Sequence, residues 1–423
     1  MTPVEELKQK AAAAKAASRQ LAKLSSAVKD RALLNIADGL KRHEEKVLAA
    51  NDRDYRQSKQ DGLSESMLDR LLLDPRRLLA MAKDVRAVAD LPDPVGEGFD
   101  MRVLPNGLKI GKRRVPLGVI GSVYESRPNV TIDISVLCLK SGNAVVLRGG
   151  REAFHSNMAL AAMVREAIAG AGVPAEAVQF VESTDRALVT EMLKMRDSID
   201  LMVPRGGADL IRFVAANAAM PVLAGGIGVC HAYVDGSADV KMATAIIHNA
   251  KVQRPSTCNA LDTVLVDRAI AARALPPIAK ELARSGVELR CDPQALELLR
   301  AAGVPNLKPA AEDDFGQEFL ALIASVKVVD GLEGALQHIE RYGSGHSEAI
   351  ITEDYTAANR FMDEVDAAAV YVNASTRFTD GGQFGLGAEV GISTQKFHAR
   401  GPMGLREMTS YKWTIFGAGH VRP

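Results

Sequence analysis

Cys258 lies in a short polar segment whose residue types suit a nucleophilic thiol. The segment Asn249–Thr263 reads N-A-K-V-Q-R-P-S-T-C-N-A-L-D-T and joins an Ala-rich helical stretch to an apolar run. A thiol reacts as its thiolate, and cationic groups close by raise the thiolate fraction at neutral pH. Lys251 and Arg254 are close enough in sequence to do this. The alternative is a buried structural cysteine, because free cysteines are among the most buried residues.

The remaining cysteines and the overall charge narrow the class of protein. Cys138, Cys230 and Cys291 lie far apart without a C-x-x-C pair, a pattern that fits reduced thiols better than a disulfide framework or a metal site. Lys plus Arg and Asp plus Glu number 52 each, so no basic field favours nucleic acid or an anionic membrane. Without a signal-peptide pattern or an apolar run of about 18 residues, the sequence predicts a cytoplasmic protein.

The elements that must position Cys258 are predicted from the apolar pattern. Residues 4–90 show helical spacing, as in Leu33, Ile36, Leu40 and Val47, and predict several helices. From Arg114 onward, short apolar runs alternate with helical segments, which predicts βαβ units around a buried parallel sheet. A second series of α/β elements follows Cys258. The predicted fold class is therefore α/β with two domains.

The cysteine segment resembles the active-site loop of the aldehyde dehydrogenase superfamily. A second segment, Val329–Ile350, resembles the signature of one family of that superfamily, the gamma-glutamyl phosphate reductases. It reads V-D-G-L-E-G-A-L-Q-H-I-E-R-Y-G-S-G-H-S-E-A-I, and the resemblance to the family runs from the N-terminal helices to about Trp413. It implies an aldehyde dehydrogenase-like fold with a variant Rossmann cofactor domain and a second α/β catalytic domain. The implied division is 1–254 for the NADPH-binding domain, 255–400 for the catalytic domain, and 101–114 with 401–423 for a β oligomerisation arm.

The resemblance implies the chemistry as well. The expected reaction is the NADPH-dependent reduction of L-glutamyl 5-phosphate to L-glutamate 5-semialdehyde and phosphate, the second step of proline biosynthesis from glutamate. Cys258 would form a thioester, and Asn129 in Y-E-S-R-P-N-V would stabilise the oxyanion. A helix cap is the alternative for Asn129.

Two elements take the place of the usual G-x-G-x-x-G fingerprint in the implied cofactor site. They are V-V-L-R-G-G-R, residues 145–151, and V-P-R-G-G-A, residues 203–208. Arg151 stands where the superfamily has a Glu, and a guanidinium there would attract a 2′-phosphate, which favours NADPH over NADH. Each of these residues has an alternative reading without a cofactor. Arg148 and Arg151 would be solvated surface charges, Gly206 and Gly207 would form a tight turn, and Glu318 would be exposed at a strand edge. The implied cofactor residues are Arg148, Gly149, Arg151, Arg205, Gly206, Gly207 and Glu318.

The substrate contacts are less specific in sequence. Arg377 in N-A-S-T-R-F is a candidate for pairing with a substrate carboxylate or phosphate. His346, Ser347 and Glu348 would either bind the substrate or stabilise their turn, and the residues alone leave both readings open. His338, at helical spacing, is predicted to be structural.

Leu223 bears on the reaction type. Hydrolytic aldehyde dehydrogenases carry a general-base Glu before the cysteine, and the matching stretch here is L-A-G-G-I, with Leu223 in the place of that Glu. The alternatives are therefore a hydrolytic aldehyde dehydrogenase, which the missing base opposes, and a non-catalytic nucleotide-binding regulatory protein, which the retained site residues oppose. The implied partners are the small-molecule substrate and further copies of the chain, with an association with the upstream glutamate 5-kinase left open.

Overall fold

The chain divides into two compact units. The computed structural model describes residues 2–223 and 225–422. Unit 1 comprises Met1–Ala224, Gly385–Gly391 and Met403–Pro423, and unit 2 comprises Gly225–Phe384 and Ile392–Pro402. The predicted domain boundary after residue 254 thus differs from the observed division, because residues 225–254 supply a strand and a helix to unit 2.

Five N-terminal helices open unit 1, as the helical spacing predicts. The first begins at a capping box, in which the Thr2 side chain accepts from the Glu5 N–H while the Glu5 carboxylate accepts from the Thr2 N–H. The periodic residues Leu33, Ile36 and Leu40 are fully buried. The helices are α1 (Pro3–Leu21), α2 (Ser26–Arg42), α3 (Glu44–Gln60), α4 (Glu65–Leu71) and α5 (Pro75–Asp90).

The main sheet of unit 1 is parallel and four-stranded, in the order β5-β4-β3-β6. Its two central strands are buried at every position, as expected where helices cover both faces. This confirms the predicted βαβ alternation. The elements are β3 (Val119–Tyr124), α6 (Asn129–Lys140), β4 (Ala144–Gly149), α7 (Phe154–Ala169), β5 (Val178–Phe180), α8 (Ala187–Met192), β6 (Leu201–Arg205) and α9 (Ala208–Asn217), and they follow two further strands, β1 (Gly98–Val103) and β2 (Lys109–Pro116).

Unit 2 contains a seven-stranded parallel sheet in the order β10-β9-β11-β8-β7-β12-β13. Its first strand lies centrally, between β8 and β12, which explains why residues 225–254 belong to this unit. The elements are β7 (Cys230–Val234), α10 (Val240–Val252), β8 (Leu261–Asp267), α11 (Ala271–Arg284), β9 (Glu288–Cys291), α12 (Pro293–Ala301), β10 (Leu307–Pro309), β11 (Ile323–Val329), α13 (Gly331–Tyr342), β12 (Ser347–Ile351), α14 (Tyr355–Glu364), β13 (Ala369–Val372), β14 (Ile392–Ser393) and β15 (Gly401–Pro402).

The two segments predicted to form an arm pair with each other. β16 (Thr409–Phe416) runs antiparallel to β2 over its whole length, from Thr409 opposite Pro116 to Phe416 opposite Lys109, and β1 completes a three-stranded sheet. Long-range pairing thus joins segments about 300 residues apart in the chain. The role of this sheet in assembly stays a prediction.

Candidate active site

The cysteine loop of unit 2 connects α10 to β8 and places Cys258 in a half-buried position. A Cβ built on Gly228 would lie 1.7 Å from the Cys258 carbonyl oxygen, so a glycine is required where the two backbones meet. The same oxygen accepts a hydrogen bond from the Cys230 thiol at 3.2 Å. The backbone of the nucleophile candidate is therefore held from two sides.

Glu318 lies next to this loop. Its Oε1 accepts from the Gly228 N–H at 3.1 Å, so the carboxylate contacts the glycine that the cysteine backbone packs against. Glu318 lies in the irregular segment before β11, which excludes the strand-edge alternative. Its assignment to the cofactor ribose stays a prediction.

Lys251 does not serve the thiol in the way its sequence position suggested. Its side chain is fully buried, and its ammonium pairs with the Asp262 carboxylate at 3.5 Å. Burial lowers the pKa of Lys251 and raises the pKa of Asp262 to about 6. Asp262 also accepts from the Phe319 N–H at 3.1 Å, so this pair ties the Glu318 segment to the start of β8.

Positive charge in this region comes instead from Arg377 and from Arg254, which lies on the cysteine loop. The half-buried Arg377 donates to the Gln253 side chain at 2.8 Å and to the Asn259 side chain. Burial lowers the pKa of Arg377, with the Arg254 charge next in effect, while a Cys258 thiolate would raise it. Arg254 is exposed on the cysteine loop itself. The predicted anion-binding Arg377 thus lies within electrostatic range of Cys258 and beside a second guanidinium.

His346, Ser347 and Glu348 are fully buried at the start of β12. Their assignment to substrate contact stays a prediction. The ring Nδ1 of His346 bonds the Ser347 hydroxyl at 2.9 Å, and Glu348 accepts from both the backbone and the ring of His231 at 2.9 Å. These contacts stabilise the turn and the strand, which was the other reading. His338 is buried as predicted.

A cavity of about 560 Å³ opens in unit 1 at the carboxyl ends of its parallel strands. Nucleotides bind in this position in open α/β sheets. Residues that follow β3, β4 and β5 line it together with the last turns of α3. Its cations are Arg53, Arg151 and Arg186, with His155 close by, and its acids include Glu125 and Glu152.

Arg151 and Arg148 differ in what they contact. Arg151 is exposed and lines the cavity, in agreement with a role at a phosphate. Arg148 is 7% exposed, and its guanidinium donates to the carbonyls of Gly149 and Thr184 at 3.1 and 2.9 Å. These donors hold the loop after β5, and the assignment of Arg148 to the cofactor stays a prediction.

Packing inside unit 1 requires a residue without a side chain at position 149. A Cβ there would lie 2.2 Å from the Asn157 amide nitrogen and 3.3 Å from the Tyr124 ring, and the residue is buried. The glycine is thus needed to let β4 pack against α7, and its assignment to the cofactor stays a prediction.

Gly206 and Gly207 form the turn that starts α9. The Gly207 N–H donates to the Glu125 carboxylate at 2.9 Å, and a Cβ on Gly206 would lie 2.4 Å from the same oxygen. Because Glu125 also lines the cavity, an anionic ligand at this helix start would compete with Glu125 for the N–H. Arg205 points elsewhere: its Nη1 lies 2.7 Å from the place of a Cβ on Gly391.

Asn129 is the first residue of α6 and does not act as its cap, since Pro128 precedes it there. Its amide donates to the Asp133 carboxylate at 2.8 Å. The Asp133 carboxyl is enclosed by protein although part of the residue keeps solvent contact, and burial raises its pKa to about 6 against the lowering effects of Asn129 and Arg205. The amide nitrogen of Asn129 is thus bonded to Asp133, and its role at the oxyanion stays a prediction.

Leu223 is 2% exposed and its N–H donates to the Met202 carbonyl at 2.8 Å. The side chain is thus apolar and buried, and its correspondence to the general base of hydrolytic aldehyde dehydrogenases stays a prediction. Ala224, the next residue of the quoted stretch, lies outside the described residues.

Within residues 2–223 and 225–422, no helix is both long and apolar enough to span a membrane. In the same part of the chain, no three His, Cys, Asp or Glu side chains are grouped to hold a metal ion.

Comparison with known proteins identifies the family. The model of the aldehyde dehydrogenase family matches residues 2–295. A gamma-glutamyl phosphate reductase of Dehalococcoides mccartyi is 59% identical over 99% of this chain and 98% of its own length. One of Roseiflexus castenholzii is 56% identical over the full length of both chains. The chain belongs to the aldehyde dehydrogenase family, among the gamma-glutamyl phosphate reductases.

A solved structure extends the family assignment to the fold. The gamma-glutamyl phosphate reductase of Thermotoga maritima superposes with a TM-score of 0.96 at 49% identity, covering 99% of this chain and 100% of that one. The predicted aldehyde dehydrogenase-like α/β fold is therefore confirmed.

Several residues of this gamma-glutamyl phosphate reductase fold were missed from sequence. Arg186 follows β5, and its position after a parallel strand was a usable signal for the cavity. Asp133 lies one turn after Asn129 on a predicted helix, so the i, i+4 spacing could have paired them. Arg53 and Asn259 carried no such signal, because their partners are distant in sequence.

Proposed function

We propose that this protein reduces L-glutamyl 5-phosphate to L-glutamate 5-semialdehyde and phosphate, the second step of proline biosynthesis from glutamate. One observation carries the proposal: a half-buried cysteine with Arg254 on its loop and Arg377 within electrostatic range, in a chain 59% identical to a protein named gamma-glutamyl phosphate reductase.

Cys258 is the proposed nucleophile. Its thiolate attacks the acyl carbonyl carbon, a C–S bond forms, and the C–O bond to phosphate breaks with its electron pair leaving on phosphate. Phosphate is a good leaving group, so no strong general acid is required. Arg377 and Arg254 would bind an anionic group of the substrate, because guanidinium groups bond phosphate and carboxylate oxygens in pairs. Asn129 remains the proposed side-chain donor to the oxyanion.

The cavity of unit 1 fits a phosphate-bearing nucleotide. Three guanidinium groups, Arg53, Arg151 and Arg186, line it together with four carboxylates, Asp54, Asp61, Glu125 and Glu152. Guanidinium groups bond phosphate oxygens in pairs, and their presence supports NADP(H) over NAD(H) as the cofactor. When bound, the reduced cofactor supplies the hydride that converts the thioester to the aldehyde level. Arg151 and Arg186 would hold its 2′-phosphate, and the α9 start at Gly206 and Gly207 is proposed for its pyrophosphate.

The hydrolytic alternative is disfavoured by Leu223. A thioester is hydrolysed efficiently when a general base activates water. In the proposed correspondence, the buried and apolar Leu223 takes the place of that base. The non-catalytic alternative is disfavoured because a half-buried thiol beside two arginines is unnecessary for nucleotide binding alone.

Self-association, cellular location and a partner enzyme are also proposed. The β1-β2-β16 sheet is proposed to join copies of the chain, since it exposes Trp413, Ile415 and Phe416. Cytoplasmic localisation and an association with glutamate 5-kinase stay predictions from the sequence.

The test runs the reaction backward. The protein is incubated with L-glutamate 5-semialdehyde and NADP⁺, with and without inorganic phosphate, and NADPH absorbance and glutamate are followed. NADPH formation that requires phosphate supports the proposal. Equal NADPH formation without phosphate, accompanied by stoichiometric glutamate, would identify the hydrolytic enzyme instead.

A further inference from the structure

Asn259, the residue directly after Cys258, connects two segments of unit 2 that are far apart in sequence. It is 3% exposed. Its amide nitrogen donates to the carbonyls of Thr379 and Arg377 at 2.9 and 3.4 Å. Its amide oxygen accepts from the Thr257 hydroxyl at 2.9 Å and from the Arg377 guanidinium.

The backbone of Asn259 takes part as well. Its carbonyl accepts from the hydroxyl of Thr376, a fully buried residue, at 2.7 Å. The short 3₁₀ turn Thr376–Phe378 carries Arg377. The cysteine loop and the turn that carries Arg377 are therefore joined through the side chain and the backbone carbonyl of Asn259. Both the backbone carbonyl and the guanidinium of Arg377 take part in these bonds.

An asparagine amide suits this task by its donor and acceptor inventory. It offers two N–H donors in one plane with an oxygen that accepts from two directions. Here the donors face carbonyl oxygens and the oxygen faces a guanidinium and a hydroxyl. Buried polar networks whose members are all bonded are rigid, and removing one member leaves the others without partners at a cost.

We propose that Asn259 is a positioning residue that holds the Arg377 guanidinium in a set place relative to the Cys258 thiol, so that an anionic group of the substrate and its reacting carbonyl are presented together. This rests on the proposed function only for the identity of the substrate. The placement itself is a property of the loop, and is open to measurement without turnover.

The experiment uses two thiol reagents of similar size and different charge. Iodoacetate and iodoacetamide both alkylate the thiolate, so changes in thiol pKa or loop accessibility affect both rates and cancel in their ratio. A guanidinium beside the thiol favours the anionic reagent. The ratio of the two alkylation rates at Cys258, identified by peptide mass spectrometry with Cys258→Ala as the blank, therefore reports the guanidinium position.

The expected result is a fall in the iodoacetate-to-iodoacetamide ratio of about fivefold or more in Asn259→Ala. Arg377→Gln should lower the ratio to the same level, and the double variant should show no further decrease, because both changes remove one interaction. Thr376→Val, which removes one bond of the network and keeps the volume, should lower the ratio partially and provides a milder variant if Asn259→Ala does not fold.

Asn373→Ala is the matched control. Its side-chain amide accepts from the Thr352 N–H and donates to the Thr352 carbonyl, so it also joins two backbone segments. None of these bonds reaches the cysteine loop. It should lower the melting temperature without changing the ratio. A ratio within twofold of the parent in Asn259→Ala, or an unchanged ratio in Thr376→Val or in Arg377→Gln, overturns the proposal. If phosphate-dependent NADPH formation is absent while the ratio behaves as expected, the positioning role stands and the assigned reaction fails.

Discussion

Cys258 depends on its immediate neighbours for a defined backbone position. Gly228 admits the Cys258 carbonyl at a distance that any side chain would block, and the Cys230 thiol donates to that carbonyl. The two cysteines thus have separate tasks. Burial raises the pKa of Cys230 well above its ordinary value, so it remains a thiol and a donor.

Cys258→Ala should abolish turnover and leave cofactor affinity within about twofold of the parent, because the thiol is the proposed covalent group. Cys230→Ala is the matched control, since it loses one hydrogen bond of about 1 kcal/mol and should keep most activity. Reverse-direction rates and NADPH titrations measure both. Activity in Cys258→Ala above about 1% of the parent would exclude the assigned role.

Arg151→Glu should shift cofactor preference from NADP⁺ toward NAD⁺. The new carboxylate repels a 2′-phosphate and can accept from ribose hydroxyls, so attraction and repulsion change together. The ratio of kcat/KM values for the two cofactors should move at least threefold, which is about 0.7 kcal/mol. Arg19→Glu, an equal charge change on an exposed position of α1, is the control and should not alter the ratio. A shift below threefold would remove Arg151 from cofactor selection.

At the scale of elements, the first turn of α6 contains a hydrogen-bonded pair, the Asn129 amide and the Asp133 carboxylate. Asn129 and Asp133 lie one turn apart, so the helix itself holds the amide against the carboxylate. The charged groups around Asp133 are Arg205 on β6, Arg127 before the helix and Asp84 on α5; the two arginines lower its pKa and Asp84 raises it. The orientation of Asn129 should therefore depend on the protonation of Asp133.

Because burial raises the pKa of Asp133 to about 6, the carboxylate that accepts from Asn129 is present above that pH and is lost as the pH falls through it. The parent kcat should show an acid limb near pH 6 that disappears in Asp133→Asn, with a lower plateau at pH 8. Asp84→Asn removes a charge that raises the Asp133 pKa, so the limb should move to lower pH. A limb that is the same in all three proteins would show that Asp133 does not control the rate.

At the scale of the whole molecule, the β1-β2-β16 sheet leaves apolar side chains exposed to solvent. Tyr411 packs edge to face on Phe99 at 5.8 Å, and the Lys112 ammonium lies over the Tyr411 and Trp413 rings at 4.7 and 5.1 Å. Ile415 is nevertheless 60% exposed, and within the described residues β16 has a sheet neighbour on one side only. An exposed edge strand with apolar residues pairs readily with another chain.

Ile415→Lys should weaken self-association by placing a charge on the surface proposed to join copies of the chain. Light scattering during size-exclusion chromatography over a range of protein concentrations measures the mass. Leu79→Lys, at a 71% exposed position on α5, is the matched control and should leave the mass unchanged. Identical masses for parent and Ile415→Lys at every concentration would place the assembly interface elsewhere.

Local patterns were sufficient for the type of most elements, whereas the role of Cys258 was inferred from the family resemblance and stays a prediction. Helical spacing predicts α1 to α5, and apolar runs predict the strands β3 to β6, because periodicity and burial on both faces are written into adjacent residues. The family signature at Val329–Ile350 led to the correct fold and reaction class for the same reason, since it depends on residue order alone.

Tertiary structure decided which of these residues are accessible and what they contact. Arg148 and Arg151 look alike in sequence, yet one bonds the loop after β5 and the other lines the cavity. Glu348 lies in the most specific motif and is buried against His231. The position of β7 inside the second sheet, between β8 and β12, places residues 225–254 in unit 2. The side-chain contacts that decide these outcomes join residues 36 to 120 positions apart, and no local pattern records which distant segment the fold brings alongside.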